Sequence, residues 1–285
     1  MSEQRLPTIR SRAELRRAVA AWRAAGQRVA LVPTMGYLHA GHISLVELGK
    51  TRAERVVASL FVNPTQFAPS EDFEAYPRDE ARDARLLAGA GCDLLYAPSV
   101  AEMYPEGFAT TVTVSGVSAP MEGAARPIHF AGVATIVAKL LIQAAPDIAI
   151  FGQKDFQQLA VIRRLARDLD LTVEIVGAET VREPDGLAMS SRNVYLTADE
   201  RLRAPALHAA LQTAAEALRA GGAVADAEGA ALAALAEAGF GPVDYFEARD
   251  PDDLSRLGPG PLSGPARLLA AARLGKARLI DNVAV

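Results

Sequence analysis

Apolar residues along the first 180 positions fall into two alternating patterns. Across 11–25, Leu15, Val19 and Trp22 sit three and four apart, which places them on one face of a helix, and Gly26 marks its stop. The run Val29-Ala30-Leu31-Val32 then has no polar position, as a buried strand requires. The alternation continues with a helix over 43–51, a strand over 56–62 closing at Asn63-Pro64, a helix over 82–90, and short strands over 93–96 and 110–114. A buried helix over 131–144, a strand over 147–151 closing at Gly152, a helix over 155–169 and a strand over 171–176 follow. Strands alternating with helices predict an α/β fold, a doubly wound, Rossmann-like parallel sheet.

The pattern changes at 182–186, a turn-rich Arg-Glu-Pro-Asp-Gly stretch beyond which alanine becomes abundant. Helices are predicted over 199–220 and 225–238, and short strands over 243–248, 267–272 and 277–280. This divides the chain into a larger unit, 1–181, and a smaller α+β unit, 182–285, expected to cover one side of the first. The stripe Leu207, Leu211, Ala214, Leu218 is expected to form core between the two units. The Gly- and Pro-rich piece 258–265 reads as a surface loop.

Size and charge narrow the function classes. A chain of 285 residues can bury a core that needs no disulfide or metal staple. Its net charge of −4 provides no overall basic field, so nucleic acid is not expected as a partner, and an anionic ligand needs a local cluster of cations. Cys92 is the single cysteine, which removes an intrachain disulfide and a thiolate zinc cluster and fits a reducing cytoplasm. The stretch 1–12 lacks the apolar centre of a signal peptide and no run is long enough to span a bilayer, so neither export nor a membrane partner is expected. The absence of G-x-x-x-x-G-K-[ST] argues against a P-loop kinase.

Open parallel sheets bind ligands beyond the carboxyl ends of their strands, and the polar motifs fall at three such ends. The first releases residues 33–42, where His39 and His42 are three apart and share a face of a helix's first turn. Unpaired N–H groups and the positive end of the helix dipole suit phosphate there, and Gly41 would let a flat group approach the backbone. The second releases Asn63, Thr65 and Gln66; the third releases Gly152, Gln153, Lys154, Asp155, Gln157 and Gln158. A fourth segment, Met189-Ser190-Ser191-Arg192-Asn193, sets two hydroxyls beside a guanidinium, a combination matched to phosphate oxygens. Taken singly, each motif has a plainer reading: a capping or core histidine with a surface neighbour, a helix-opening ion pair at Lys154-Asp155, cap or turn serines, a Gln66 that closes a turn. A zinc site from His39, His42 and His129 is a further alternative, but it leaves the 190–192 segment without a role. His129 otherwise reads as structural, and Met35 and Phe61 as pocket walls.

His39-Ala40-Gly41-His42 and Met189-Ser190-Ser191-Arg192 together resemble the paired HxGH and KMSKS-like signatures of the nucleotidyltransferase superfamily that includes class I aminoacyl-tRNA synthetases. A closer likeness runs in order from about 30 to 193. Through Pro33-Thr34-Met35-Gly36, Asn63-Pro64-Thr65-Gln66, Tyr76-Pro77-Arg78, Arg126-Pro127 with His129-Phe130, Gly152-Gln153-Lys154-Asp155 with Gln157-Gln158, and 182–193, the sequence resembles the pantothenate synthetase (pantoate–β-alanine ligase) family.

The resemblance implies ATP-dependent condensation of pantoate with β-alanine through a pantoyl adenylate, releasing pyrophosphate and AMP. It implies an ATP site made by Met35, Gly36, His39, Gly41, His42, Gly152, Gln153, Lys154, Asp155, Val181, Met189, Ser190, Ser191 and Arg192. Within that site His42 is the family's proton donor, His39 its phosphate-side neighbour and Lys154 a point charge on the phosphates, while Ser190, Ser191 and Arg192 hold the departing pyrophosphate. Either imidazole could instead act simply as a hydrogen-bond donor to phosphate. Met35, Gln66, Gln158, Asn63 and Tyr76 are implied at the pantoate and β-alanine positions. The resemblance also implies Mg2+ carried mainly by the ATP phosphates and a homodimer. Closure of 182–285 as a lid is a separate expectation, since it would bring Ser190–Arg192 toward His39 and His42 and exclude water from the adenylate. Two departures from the family pattern stand out. Asp79 replaces a threonine, and the acidic pair proposed near the metal is reduced to Asp83 behind Arg82, which leaves Asp83 as the candidate protein ligand; Ala40 replaces a longer side chain that the chemistry does not use.

Overall fold

The computed structural model describes residues 6–68 and 73–285; residues 1–5, part of both the N-terminal stretch 1–12 and the unit 1–181, and residues 69–72 lie outside the described residues. In chain order the larger unit contains β1 (Thr8–Ile9), α1 (Arg12–Ala24), β2 (Val29–Thr34), α2 (Ala40–Arg52), β3 (Arg55–Leu60), α3 (Glu80–Gly89), β4 (Leu94–Tyr96), α4 (Val100–Met103), α5 (Glu122–Ala125), α6 (His129–Ala144), β5 (Ile148–Gly152), α7 (Phe156–Asp168) and β6 (Glu174–Ala178). Beyond it come α8 (Ala198–Arg203), α9 (Ala206–Arg219), α10 (Val224–Glu237), β7 (Val243–Arg249), β8 (Arg267–Leu274) and β9 (Ala277–Ala284). No helix among the described residues is long and apolar enough to cross a membrane.

The six-stranded sheet is parallel throughout, in the order β1-β4-β3-β2-β5-β6. Alternation along each strand splits the apolar run between two cores. Val29, Leu31, Val57, Ala149 and Phe151 pack with α1, α6 and α7, whereas Ala30, Val32, Val56, Ala58, Ile148 and Ile150 pack on the opposite face with α2. The chain order reverses between β2 and β5. Their carboxyl ends therefore flank the crevice where doubly wound sheets take ligands, and these two ends deliver the histidine and lysine motifs.

Four expectations change. The alternating segment 110–114 is not a strand: Val112 N–H donates to Thr135 Oγ1 of α6 (2.9 Å), so its apolar side chains lie against a helix rather than beside another strand. The helix over 199–220 is interrupted at Pro205, which has no N–H to continue it and instead opens α9. The last strand of the sheet begins at Glu174, while Leu171 and Val173 pack on the core from the preceding loop. The stripe Leu207, Leu211, Ala214, Leu218 lies within the second unit's own core, between its helices and the antiparallel β7-β8-β9 sheet, and not between the units. Leu254 and Leu269 enter the larger core from the second unit, with Tyr245 packed against it. The 258–265 loop caps a helix, since the Gly260 and Pro259 carbonyls accept the Val224 and Ala225 N–H groups at the start of α10.

Candidate active site

The turn after β2 is built around a buried carboxylate. The backbone passes through Gly36 (φ +89°) and Tyr37 (φ +53°), and Asp83 of α3, 0% exposed, accepts Tyr37 N–H at Oδ2 (2.7 Å) and Leu38 N–H at Oδ1 (2.8 Å). A Cβ at Gly36 would stand 3.1 Å from Asp83 Oδ2 in left-handed backbone, so glycine suits both demands. Burial pushes the Asp83 carboxyl up, and the two amides partly offset it. With both oxygens committed to amides, Asp83 acts as the keystone of this turn; the metal-ligand expectation gives way to that geometry.

His39 and His42 open α2 as a reciprocal cap. His39 Nδ1 accepts Gly41 N–H (3.1 Å), His42 Nδ1 accepts His39 N–H (3.3 Å), and the rings stand 4.1 Å apart. A Cβ on Gly41 would lie 2.9 Å from His39 Cε1, so the space expected to admit a base or phosphate belongs to the His39 ring. Because each Nδ1 is an acceptor, each neutral ring carries its proton on Nε2, a donor facing away from the cap. Burial, then the Lys154 charge, holds His39 down at about 4; burial, His39 and Lys154 hold His42 at about 3. Both imidazoles are therefore neutral at pH 7. Between the ordinary value of about 6.5 and these lowered values the unfolded chain binds more protons, so the pair withdraws stability as pH falls through that window and is silent above it. Ring resonances of His39 and His42 are expected to stay flat from about pH 8 to about pH 5.5; an NMR inflection near 6.5 for either would contradict the arrangement.

Lys154 arrives from the other side of the crevice, in a single turn of tight helix over Gln153–Asp155 that follows β5. Its side chain is mostly buried and its Nζ lies 4.0 Å from Asp155 Oδ2. The serine segment comes from beyond the sheet. The 182–188 hairpin, bridged at Arg182 and Ala188 and tied at its base by Met189 N–H to Val181 O (3.0 Å), returns the chain to the histidine turn. There Ser191 Oγ donates to Tyr37 O (3.3 Å), Ser190 Oγ accepts Arg192 N–H (3.2 Å), and Met189 Cβ comes within 3.8 Å of the position a Cβ would take on Gly41. Segments 154 residues apart thus share one rim. One cavity of about 1010 Å3 joins Lys154, Asp155, Ser190 and Arg192 to Met35, Gln66 and Gln158, with Asp244, Tyr245, Arg278 and Asn282 closing it from the second unit. The histidine turn adjoins this wall: Ser191 Oγ bonds the Tyr37 carbonyl just before it, and the Lys154 charge is near enough to lower both imidazoles.

Comparison with known proteins shows the family. The profile of the family described as Pantoate-beta-alanine ligase matches residues 7–284. The chain belongs to the pantoate–β-alanine ligase family. The pantothenate synthetase of Caulobacter vibrioides is 63% identical over 278 residues, covering 97% of this chain and 98% of that protein, and that of Rhodospirillum rubrum is 58% identical over 280 residues, covering 98% and 99%. The crystal structure of pantothenate synthetase from Thermus thermophilus superposes with a TM-score of 0.91 at 51% identity over 98% of this chain and 99% of that one. The pantoate–β-alanine ligase of Francisella tularensis, complexed with β-γ ATP and β-alanine, superposes with a TM-score of 0.79 at 30% identity, over 98% and 97%.

Against this ligase fold, the expected site residues divide into cavity wall and support. Gly152 has open space where a Cβ would be, leaving the end of β5 accessible. Gln66 is placed by Asn63, whose Nδ2 donates to Gln66 Oε1 (3.2 Å) and Gly132 O (3.1 Å), and its own Nε2 sits 2.8 Å from Met35 Sδ. Asn63 is 1% exposed, so its expected substrate contact is replaced by this supporting role. Tyr76 is likewise buried, packed edge-on against Phe67 and beneath the Arg192 guanidinium, which lies 5.7 Å from its ring. The Gln153 side chain reaches Gly177 O (3.2 Å) and Arg267 (3.2 Å) and so bridges the two units. His129 Nδ1 lies 3.1 Å from Gln66 O, the loop bond expected of it. Sequence reasoning missed the cavity's second-unit face. Its one signal was the pair Asp281-Asn282, polar residues in the middle of an apolar strand.

Proposed function

We propose that this chain joins pantoate to β-alanine with ATP, by way of a pantoyl adenylate. The observation that supports this reading best is the meeting of Ser190–Arg192 with the histidine turn, beside Lys154, at one cavity. In the first step a pantoate carboxylate oxygen attacks the α-phosphorus, and the bond to pyrophosphate breaks. Two anions approach each other there, and the charge that builds on the phosphates is met by Lys154, Arg192, the serine hydroxyls and the Nε2–H groups of His39 and His42, placed in advance and partly shielded from water. In the second step the β-alanine nitrogen attacks the acyl carbon, AMP leaves, and the amine loses a proton. Gln66 and Gln158 suit pantoate because amides bond hydroxyl and carboxylate groups without adding charge.

Magnesium belongs to this reading as part of the ATP substrate. Asp83 faces backbone amides, so in this reading the ion keeps phosphate and water as its main ligands. A homodimer, implied by the family resemblance, and a cytoplasmic setting without nucleic acid or membrane partners, expected from the cysteine usage, charge and hydropathy, complete the proposal. Incubation with ATP, pantoate and β-alanine decides it: AMP should appear only with pantoate, and pantothenate only with both acids. ATP binding without pyrophosphate release would instead indicate a regulatory nucleotide-binding module. The unit 182–285 is proposed to close as a lid that shelters the adenylate; small-angle scattering should show compaction on adding ATP and pantoate, and superimposable profiles would remove closure from the mechanism.

A further inference from the structure

β9 sets two polar side chains, Asp281 and Asn282, side by side in its interior, each only 3% exposed. Asn282 faces the larger unit. Its Nδ2 donates to the carbonyls of Gln153 (2.9 Å) and Lys154 (2.8 Å), and its Oδ1 accepts from Arg267 Nε (2.7 Å). Both donors and the acceptor of the carboxamide are thereby engaged. Arg267 is itself fixed, 4.1 Å over the Phe156 ring and donating to Gln153 Oε1. Two carbonyls of the Gln153–Asp155 turn thus find their donor across the unit boundary. Asp281 reaches the other phosphate-side arm: it accepts two hydrogen bonds from Arg182 (2.6 and 2.9 Å), whose guanidinium also donates to Gly186 O (3.1 Å) in the hairpin leading to Ser190. Adjacent residues of one strand therefore carry both arms.

We propose that Asn282 is a positioning residue for adenylation: it fixes the turn that aims Lys154 and makes docking of the second unit a condition of the chemical step. The proposal rests on the reading of Lys154 as a phosphate-side cation. Displacing a charged group by about 1 Å can cost about 100-fold in rate. Asn282→Ala is expected to lower kcat for pantoate-dependent pyrophosphate release from magnesium-ATP by about 10- to 100-fold, with KM for pantoate within about twofold. In a Lys154→Ala background the same change should cost less than about threefold, because the group it positions is gone. Asn282→Asp keeps the shape and the acceptor for Arg267 while turning an oxygen toward two carbonyls, so it should show the same dependence on Lys154 in a chain of unaltered size.

Equal losses with and without Lys154 would overturn the proposal, as would a raised KM with unchanged kcat. Failure of both Asn282 variants to fold would also overturn it, by making the carboxamide a folding determinant. Pantoate-independent or absent pyrophosphate release by the unaltered chain would remove the functional reading itself, a result distinct from any of these.

Discussion

Replacing His42 by alanine is expected to slow pantoate-dependent pyrophosphate release by about 10²- to 10³-fold, the usual consequence of removing one placed donor from a charge-stabilising site. The fold should survive. His42 is partly exposed at a helix start, and its Nδ1 serves only as the cap acceptor for His39 N–H, so the structural loss is that of a cap, about 1 kcal/mol, or about 2–4 °C in a chain of this length. His42→Gln separates the two roles. Glutamine at this position can restore the acceptor as in a capping box, but it cannot present the imidazole Nε2–H where the ring does. It should melt like the unaltered chain and remain slow. Recovery of the rate by glutamine would show that the imidazole is dispensable, and collapse of fold and rate together in the alanine variant would reassign His42 to the core.

The parts of this site that could be read beforehand are those whose information is local. The unbroken Val29–Val32 run gave a strand buried on both faces because alternate residues enter separate cores, and a strand's carboxyl end is where a parallel sheet opens to ligand. Hence His39, His42, Lys154 and Gln158 could be placed on one rim from spacing alone. Neighbourhood in a motif does not say which way a side chain faces: the family resemblance puts Asn63 and Tyr76 at the substrate, and in the fold they instead support the wall. The 110–114 alternation was equally uninformative, since valines on every second residue look the same beside a strand or against α6. Asn282 and Arg278 meet partners 128 and 156 residues away. Such contacts leave no periodicity in the sequence; only buried polar residues in an apolar strand mark them.

Loss of the Glu122 carboxylate is expected to cost the protein about 3–5 kcal/mol, the range found when one partner of a buried ion pair is removed. Glu122 is 7% exposed at the start of α5. Its Oε1 accepts from Arg278 Nη1 (2.9 Å) and Arg126 Nη1 (3.2 Å), Tyr245 Oη donates to Oε2 (3.3 Å), and Arg278 Nη2 stands 2.8 Å from Oε2 as an ion contact. Burial alone would raise its carboxyl, but the Arg278 and Arg126 charges hold it below the usual range. It is ionised at pH 7. Alanine there leaves Arg278 leaning on Asp244 alone of these acids (2.6 Å from Nε) and loosens Arg126, which also donates to Gln66 O (3.3 Å). Urea denaturation of Glu122→Ala should therefore show the stability loss, and the KM for pantoate should rise with it. Removing both charges, as Glu122→Leu with Arg278→Met, should cost less than the two single changes summed, because the Arg278 guanidinium is then not left buried without its carboxylate partner. The contribution is present above the ordinary glutamate value of about 4.5 and is lost as pH falls through the lower folded-state value. Strict additivity in that cycle would mean that the units are joined by packing through Leu254 and Leu269 and not by this buried charge.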